Sequence, residues 1–141
     1  MPYDSPMTAV KAFRQRDVRH IADTESVAFP SGTLAVGQFQ FDPNFYGQTA
    51  TFRFIATMST SKGSITGSVQ LYNLTDGEAV AGGLLQTSST SPGLQFSAAL
   101  TVGSAAGNLK DSSKLYEARI SVTGVDVTDI LSVGSVGIRT S

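Results

Sequence analysis

Cysteine and tryptophan are absent from this chain, histidine occurs once, and charged residues make up only 15% of it. Each absence closes off a class of chemistry. Without cysteine there is no disulfide framework, no thiolate nucleophile and no thiolate metal ligand, although the compartment stays undecided. A structural zinc site asks for four Cys or His ligands, and the chain offers one. The charged share is low against a usual figure of about 25%. Ser, Thr, Gly, Asn and Gln, or partner molecules, must therefore cover the surface. A formal net charge of -1 gives no basic excess that would point to direct nucleic-acid binding. No apolar run approaches the roughly 18 residues of a membrane span, and the N-terminal residues lack a basic-then-apolar signal pattern. The expectation is a soluble, non-membrane domain of 141 residues, long enough to bury a core without staples.

Two zones differ in composition. Residues 1–25, MPYDSPMTAVKAFRQRDVRHIADTE, hold Lys11, Arg14, Arg16 and Arg19, four of the ten basic residues, and the single histidine, His20. Apolar residues at Val10, Phe13, Val18 and Ile21 fall at loosely helical spacing, with Thr8 as a possible cap. Tyr3, Met7, Val10 and Phe13 make the segment too apolar for a purely solvated tail. It reads as an extended or partly helical arm that orders on a partner. Residues 26–141 read as the folded body.

The body reads as strands. TATFRFIATM (49–58) sets Ala50, Phe52, Phe54, Ala56 and Met58 on one side and Thr49, Thr51, Arg53 and Thr57 on the other, with Ile55 breaking the alternation. A period of two marks a half-buried strand. Further strands are expected at 26–29, 34–41, 66–74, 78–85, 94–100, 114–122 and 129–140. LQFSAAL (94–100) places Leu94, Phe96, Ala98 and Leu100 together, and the two glycines within 129–140 mark bulges or close packing. Turn-formers separate the strands, among them Asp42-Pro43-Asn44, Asp76-Gly77 and Ser91-Pro92-Gly93. About eight short strands with regular turn signals, each with one apolar face, predict an antiparallel two-sheet β-sandwich, with an eight-stranded jelly roll as the leading topology.

Catalytic signatures are missing. VGSVG (133–137) only superficially resembles a nucleophile elbow, which needs strand–turn–helix context, and it sits in a predicted strand. His20, with Asp17 and Asp23 near it in sequence, lies in the arm. Asn73, Asp76 and Glu78, like Asp126 and Asp129, lack EF-hand spacing and read as turn residues. Glu117 and Arg119 fall mid-strand on the outer face and read as pairing across the sheet. Phosphate-binding motifs are absent. The reading is therefore not an enzyme, with no catalytic residue, no metal and no cofactor. A sugar platform would need exposed aromatics, and Phe45 and Tyr46, after FDPN, are the candidates for a ligand-facing loop.

The stretch VQLYNLTDGEAVAGGLLQTSSTSPGLQFSAALTVG (69–103), followed by KLYEARISVTG (114–124), resembles segments of small β-sandwich virion proteins of tailed bacteriophages and related particles. The resemblance covers residues 66–140. It implies a structural component of a phage-like particle: a capsid decoration, or a head or tail spike, fibre base or connector. It also implies location in the virion after a soluble stage in the host cytoplasm, and partners that are other virion proteins and further copies in a homo-oligomer. The arm residues Tyr3, Met7, Val10, Lys11, Phe13, Arg14, Arg16 and Arg19 would make those contacts. The alternative is a jelly-roll module that binds a glycan or host receptor.

Overall fold

A computed structural model of the chain describes residues 18–28, 33–47, 50–123 and 130–140. Eight strands follow in order: β1 (Val18–Ala28), β2 (Thr33–Phe41), β3 (Phe52–Thr60), β4 (Thr66–Asn73), β5 (Glu78–Thr87), β6 (Gly93–Phe96), β7 (Lys114–Thr123) and β8 (Ile130–Thr140). They form two four-stranded antiparallel sheets, β1-β8-β3-β6 and β2-β7-β4-β5. Every connection except the β4–β5 hairpin crosses from one sheet to the other, which is the winding of a jelly roll. The predicted fold class is the one observed.

Inward residues of both sheets meet in one core. Phe52, Phe54, Ala56 and Met58 of β3 face Val69 and Leu71 of β4 and Tyr116, Ala118 and Ile120 of β7, all buried. An aromatic cluster closes one end of it: Phe41 stacks on Tyr46 and meets Phe52 and Tyr116 edge-on.

Bulges set which side chains reach that core. Gly37, at φ 63°, occupies an additional position in β2 between Val36 and Gln38, a conformation that glycine adopts without strain. Beyond it, Phe39 and Phe41 share the Tyr116 side of the sheet. In β8 the ladder with β3 slips between Ile55 and Thr57, opposite Gly137 and Gly134. The inward set accordingly switches from Leu131 and Val133 to Val136 and Ile138. The two glycines do mark a bulge. The stretch 133–137 lies inside this strand and not at a strand-to-helix turn.

Three expectations need correction. The arm was expected to reach residue 25, with a loose helical pattern to Ile21, yet residues 18–25 belong to β1, with Val18 opposite Arg139 and Glu25 opposite Val133. Ladder hydrogen bonds to β8 outweigh a weak helical pattern in so short a segment. The strand expected at 94–100 stops at Phe96. Ser97 inserts its hydroxyl, which accepts from the Phe54 N–H at 2.9 Å and donates to the Ala98 carbonyl at 2.7 Å. Leu100 consequently turns into the core while Leu94 and Phe96 stay outside. Glu117 and Arg119 pair with each other along β7, at 2.6 Å, and not across the sheet. The cross-strand contact is instead the guanidinium of Arg119 over the Tyr72 ring, 3.4 Å from its centre.

Candidate interaction surfaces

Following the strands from end to end sorts the connections into two groups. Residues 42–47 and 50–51, the turn 74–77 and the long connection 97–113 gather at one end, here called the top. The starts of β1 and the finish of β8 lie there as well, since Val18 is opposite Arg139.

Each top connection has its own local cause. In the turn 74–77, the Asn73 side chain accepts from the Asp76 N–H at 3.0 Å and donates to the Asp76 carboxylate at 2.8 Å. Gly77, at φ 70°, closes the turn by donating to the Asn73 carbonyl at 2.9 Å. The 3₁₀ turn Pro43–Tyr46 is capped by Asp42, whose carboxylate accepts from the Asn44 N–H. Asn44 then donates to the Asp111 carbonyl at 2.8 Å, tying this loop to the connection 97–113. Of the two aromatics expected to face a ligand, Phe45 stands 79% exposed while Tyr46 stacks against Phe41.

The connection 97–113 is held by an anchored lysine. Lys110 is only 7% exposed. Its ammonium meets Glu78 Oε2 at 2.9 Å and donates to the Ala105 carbonyl at 2.6 Å. Glu78 also accepts from the Gly107 N–H at 2.8 Å, and the Gly107 carbonyl accepts from Ala81 N–H at 2.7 Å. The Lys110 N–H donates to the buried Tyr116 hydroxyl at 3.1 Å, and burial pushes that phenol above its ordinary pKa.

Beside this anchor lies an open cleft of about 340 Å³ lined by Asp76, Glu78, Ser104, Lys110, Asp111 and Lys114. Lys110 and the Gly107 N–H hold the Glu78 carboxyl below its ordinary pKa. Partial desolvation works against ionisation of Asp76, but the Asn73 amide and Lys114 outweigh it and hold that carboxyl low as well. Each of these carboxylates is matched to a lysine, so neither is poised to donate a proton near neutral pH. Among the described residues no group of three His, Cys, Asp or Glu side chains converges to hold a metal.

No family model and no curated protein matches the chain. A solved structure shares its fold: a structure of infectious bursal disease virus Gt strain, with a TM-score of 0.51, 12% identity, and coverage of 89% of this chain and 33% of that one. A second, the VP2 subviral particle of infectious bursal disease virus, gives a TM-score of 0.49 at 14% identity over 88% of this chain and 31% of that one. The chain thus spans about a third of the length of the chains it matches. At this identity the likeness concerns the fold.

A second surface lies on the side of the sandwich. The edges there are β5 in one sheet and β6 in the other. β6 and all of β5 after Glu78 fall within residues 79–109, which contain no Asp, Glu, Lys or Arg. This segment carries Leu84, Leu94, Phe96 and Val102, four of the six exposed large apolar residues among those described. Sequence reasoning assigned Leu94 and Phe96 to a strand face shared with Leu100, and the break at Ser97 separates them from it. Of the expected arm contacts, Tyr3, Met7, Val10, Lys11, Phe13, Arg14 and Arg16 lie outside the described residues, and Arg19 is in β1 opposite Ile138. Asp126 and Asp129 also lie outside them.

Proposed function

We propose that this protein is a non-catalytic structural component of a virus particle, built to pack against neighbouring subunits. The observation that carries this reading is a jelly roll whose β5 and β6 edges run through a segment without charge, residues 79–109, that leaves Leu84, Leu94 and Phe96 exposed on them. A surface of that kind marks an interaction site. The fold likeness to a viral particle structure supports it, and the resemblance of residues 66–140 to tailed-phage virion proteins favours a phage-like particle as the setting. Closed symmetric assemblies reuse one such patch many times. In this reading the segment before Val18 contributes contacts to neighbouring subunits from the top of the sandwich, where β1 begins.

The test is mass in solution by light scattering, with electron microscopy, for the full chain and for a chain starting at Val18. That boundary spares β1, which a truncation at Ser26 would destroy. Assembly of the full chain, with smaller species from the shortened one, supports the reading with the arm as an assembly device. A full chain that stays monomeric at every concentration overturns self-assembly. A glycan receptor is the second reading, favoured by the exposed Phe45 at the top; it requires saturable glycan binding that Phe45→Ala removes.

A further inference from the structure

We infer that β6 is a self-pairing edge: two copies join their β6 strands antiparallel about a two-fold axis through Gln95, making one continuous sheet of eight strands. The inference takes its partner, a second copy, from the assembly reading.

The argument begins with hydrogen-bond parity. In an antiparallel ladder, alternate residues turn their backbone groups toward a given neighbour. On β6 the residues that turn toward β3 are fixed by the Ser97 N–H, which donates to the Phe54 carbonyl at 2.9 Å. Residue 97 faces 54, so Gln95 and Gly93 face Ala56 and Met58 in the bonded positions. Leu94 and Phe96 therefore aim their N–H and C=O groups away from β3, at the open edge. The side chains of these two residues are also exposed, at 46% and 59%. One pair of residues thus offers both backbone groups that no described strand pairs with and uncovered apolar surface.

The pattern is complementary to itself. A two-fold axis through Gln95 sets Leu94 of each copy opposite Phe96 of the other. Each such pair exchanges two backbone hydrogen bonds, so all four outward N–H groups and all four outward carbonyls of the two strands are engaged on their bonding side. Each pair also brings an aromatic ring beside a leucine, a favourable cross-strand contact. Natural edges are commonly guarded by charge. The other edge of this sheet, β1, has Arg19, Asp23 and Glu25 in its sequence, whereas residues 79–109 have no charged residue to repel a second copy. Behind the edge, Ile55 sits on the outer face between Phe96 and Gly137, so the apolar strip continues onto the sheet. A four-residue strand makes a weak pair alone, suited to an assembly in which many such contacts act together.

The geometry supplies its own trap. In this register Gln95 faces Gln95 of the second copy in a position without backbone bonds, where Cα atoms approach to about 4.5 Å, within disulfide range. The chain has no cysteine, so Gln95→Cys introduces a single thiol. The experiment oxidises Gln95→Cys under mild conditions and compares it with Ser112→Cys, an exposed position away from the edge. Two further full-length variants, Leu94→Pro and Phe96→Lys, are followed by light scattering and circular dichroism. Leu94→Pro removes an N–H that β3 does not use, so it leaves the intramolecular ladder intact.

The expected result is rapid covalent dimer formation by Gln95→Cys, slow cross-linking by Ser112→Cys, and weakening of self-association by at least about tenfold in the folded edge variants. Should Leu94→Pro fail to fold, Phe96→Lys carries the same comparison. If the full chain assembles but Gln95→Cys cross-links no faster than Ser112→Cys, the β6 pairing is wrong and the assembly reading stands. If Gln95→Cys dimerises rapidly while nothing larger forms, the pairing stands and the particle reading loses its support. A chain that neither associates nor cross-links overturns both.

Discussion

The Lys110 ammonium lies 2.9 Å from Glu78 Oε2, and this one contact joins the connection 97–113 to the start of β5. The same carboxylate accepts from Gly107 N–H, so the connection is gripped at two points.

That grip makes the top of the sandwich sensitive to acid. A carboxyl whose folded pKa is depressed contributes stability that is fully present above its unfolded value, about 4.3 for Glu and 3.9 for Asp, and is lost as pH falls through the folded value. Glu78 and Asp76 are both depressed. Melting temperature should therefore hold steady from neutral pH down to the ordinary carboxylate range and drop below it. Glu78→Gln should melt lower at neutral pH and show a shallower acid decline. Thermal melts from neutral to about pH 2.5 check this; parallel curves for the two proteins would sink the idea.

Gln70 repairs a gap in the sheet. Between Gln70 and Tyr72 the β4 ladder advances two residues, while β5 advances from Leu84 to Ala79. The looped-out carbonyls of Val80 and Gly83 each accept from the Gln70 side-chain amide at 3.2 Å, and Leu71's carbonyl accepts at 2.8 Å. Gln70→Leu should cost about 1–2 kcal/mol, because those carbonyls lose their donor. Gln70→Glu should be worse, since it turns an acceptor toward acceptors. Chemical denaturation measures both, and equal stability of the two variants would refute the bridging role.

Gly67 is a packing residue. A Cβ built there would overlap the Leu131 Cδ1 methyl, and the Leu131 side chain is fully buried. Gly67→Ala should destabilise the protein by about 1–3 kcal/mol through overpacking. Combining it with Leu131→Val should recover part of the loss, a coupling of about 0.5 kcal/mol or more. Simple additivity in the double-mutant cycle would place the strain elsewhere.

Most of the strands were legible in the sequence as apolar stretches between turn-formers, and β3 shows why alternation is a strong signal: Phe52, Phe54, Ala56 and Met58 face inward as expected. Ile55 broke the pattern and is buried all the same, on the outer face, because an apolar edge strand and a glycine flank it. The start of β1 was hidden, since its pairing with β8 depends on residues more than a hundred positions away and its own spacing is ambiguous. Lys110 gave no local sign of burial. Its place follows from a carboxylate on β5 and two carbonyls within its own loop, a convergence that only the fold creates.

The partnership of β1 with β8 also has a consequence in time. Among the described strands β1 has β8 as its ladder partner, and their pairing runs from Val18 with Arg139 to Ala28 with Ile130. Closing so long a loop is entropically costly, and sheets that depend on such distant pairings form slowly. During synthesis β1 emerges early and must wait for β8 before it can be seated. The seating of Val18 beside Arg139 is therefore a late event in folding, timed by the completion of β8 and not by the synthesis of β1.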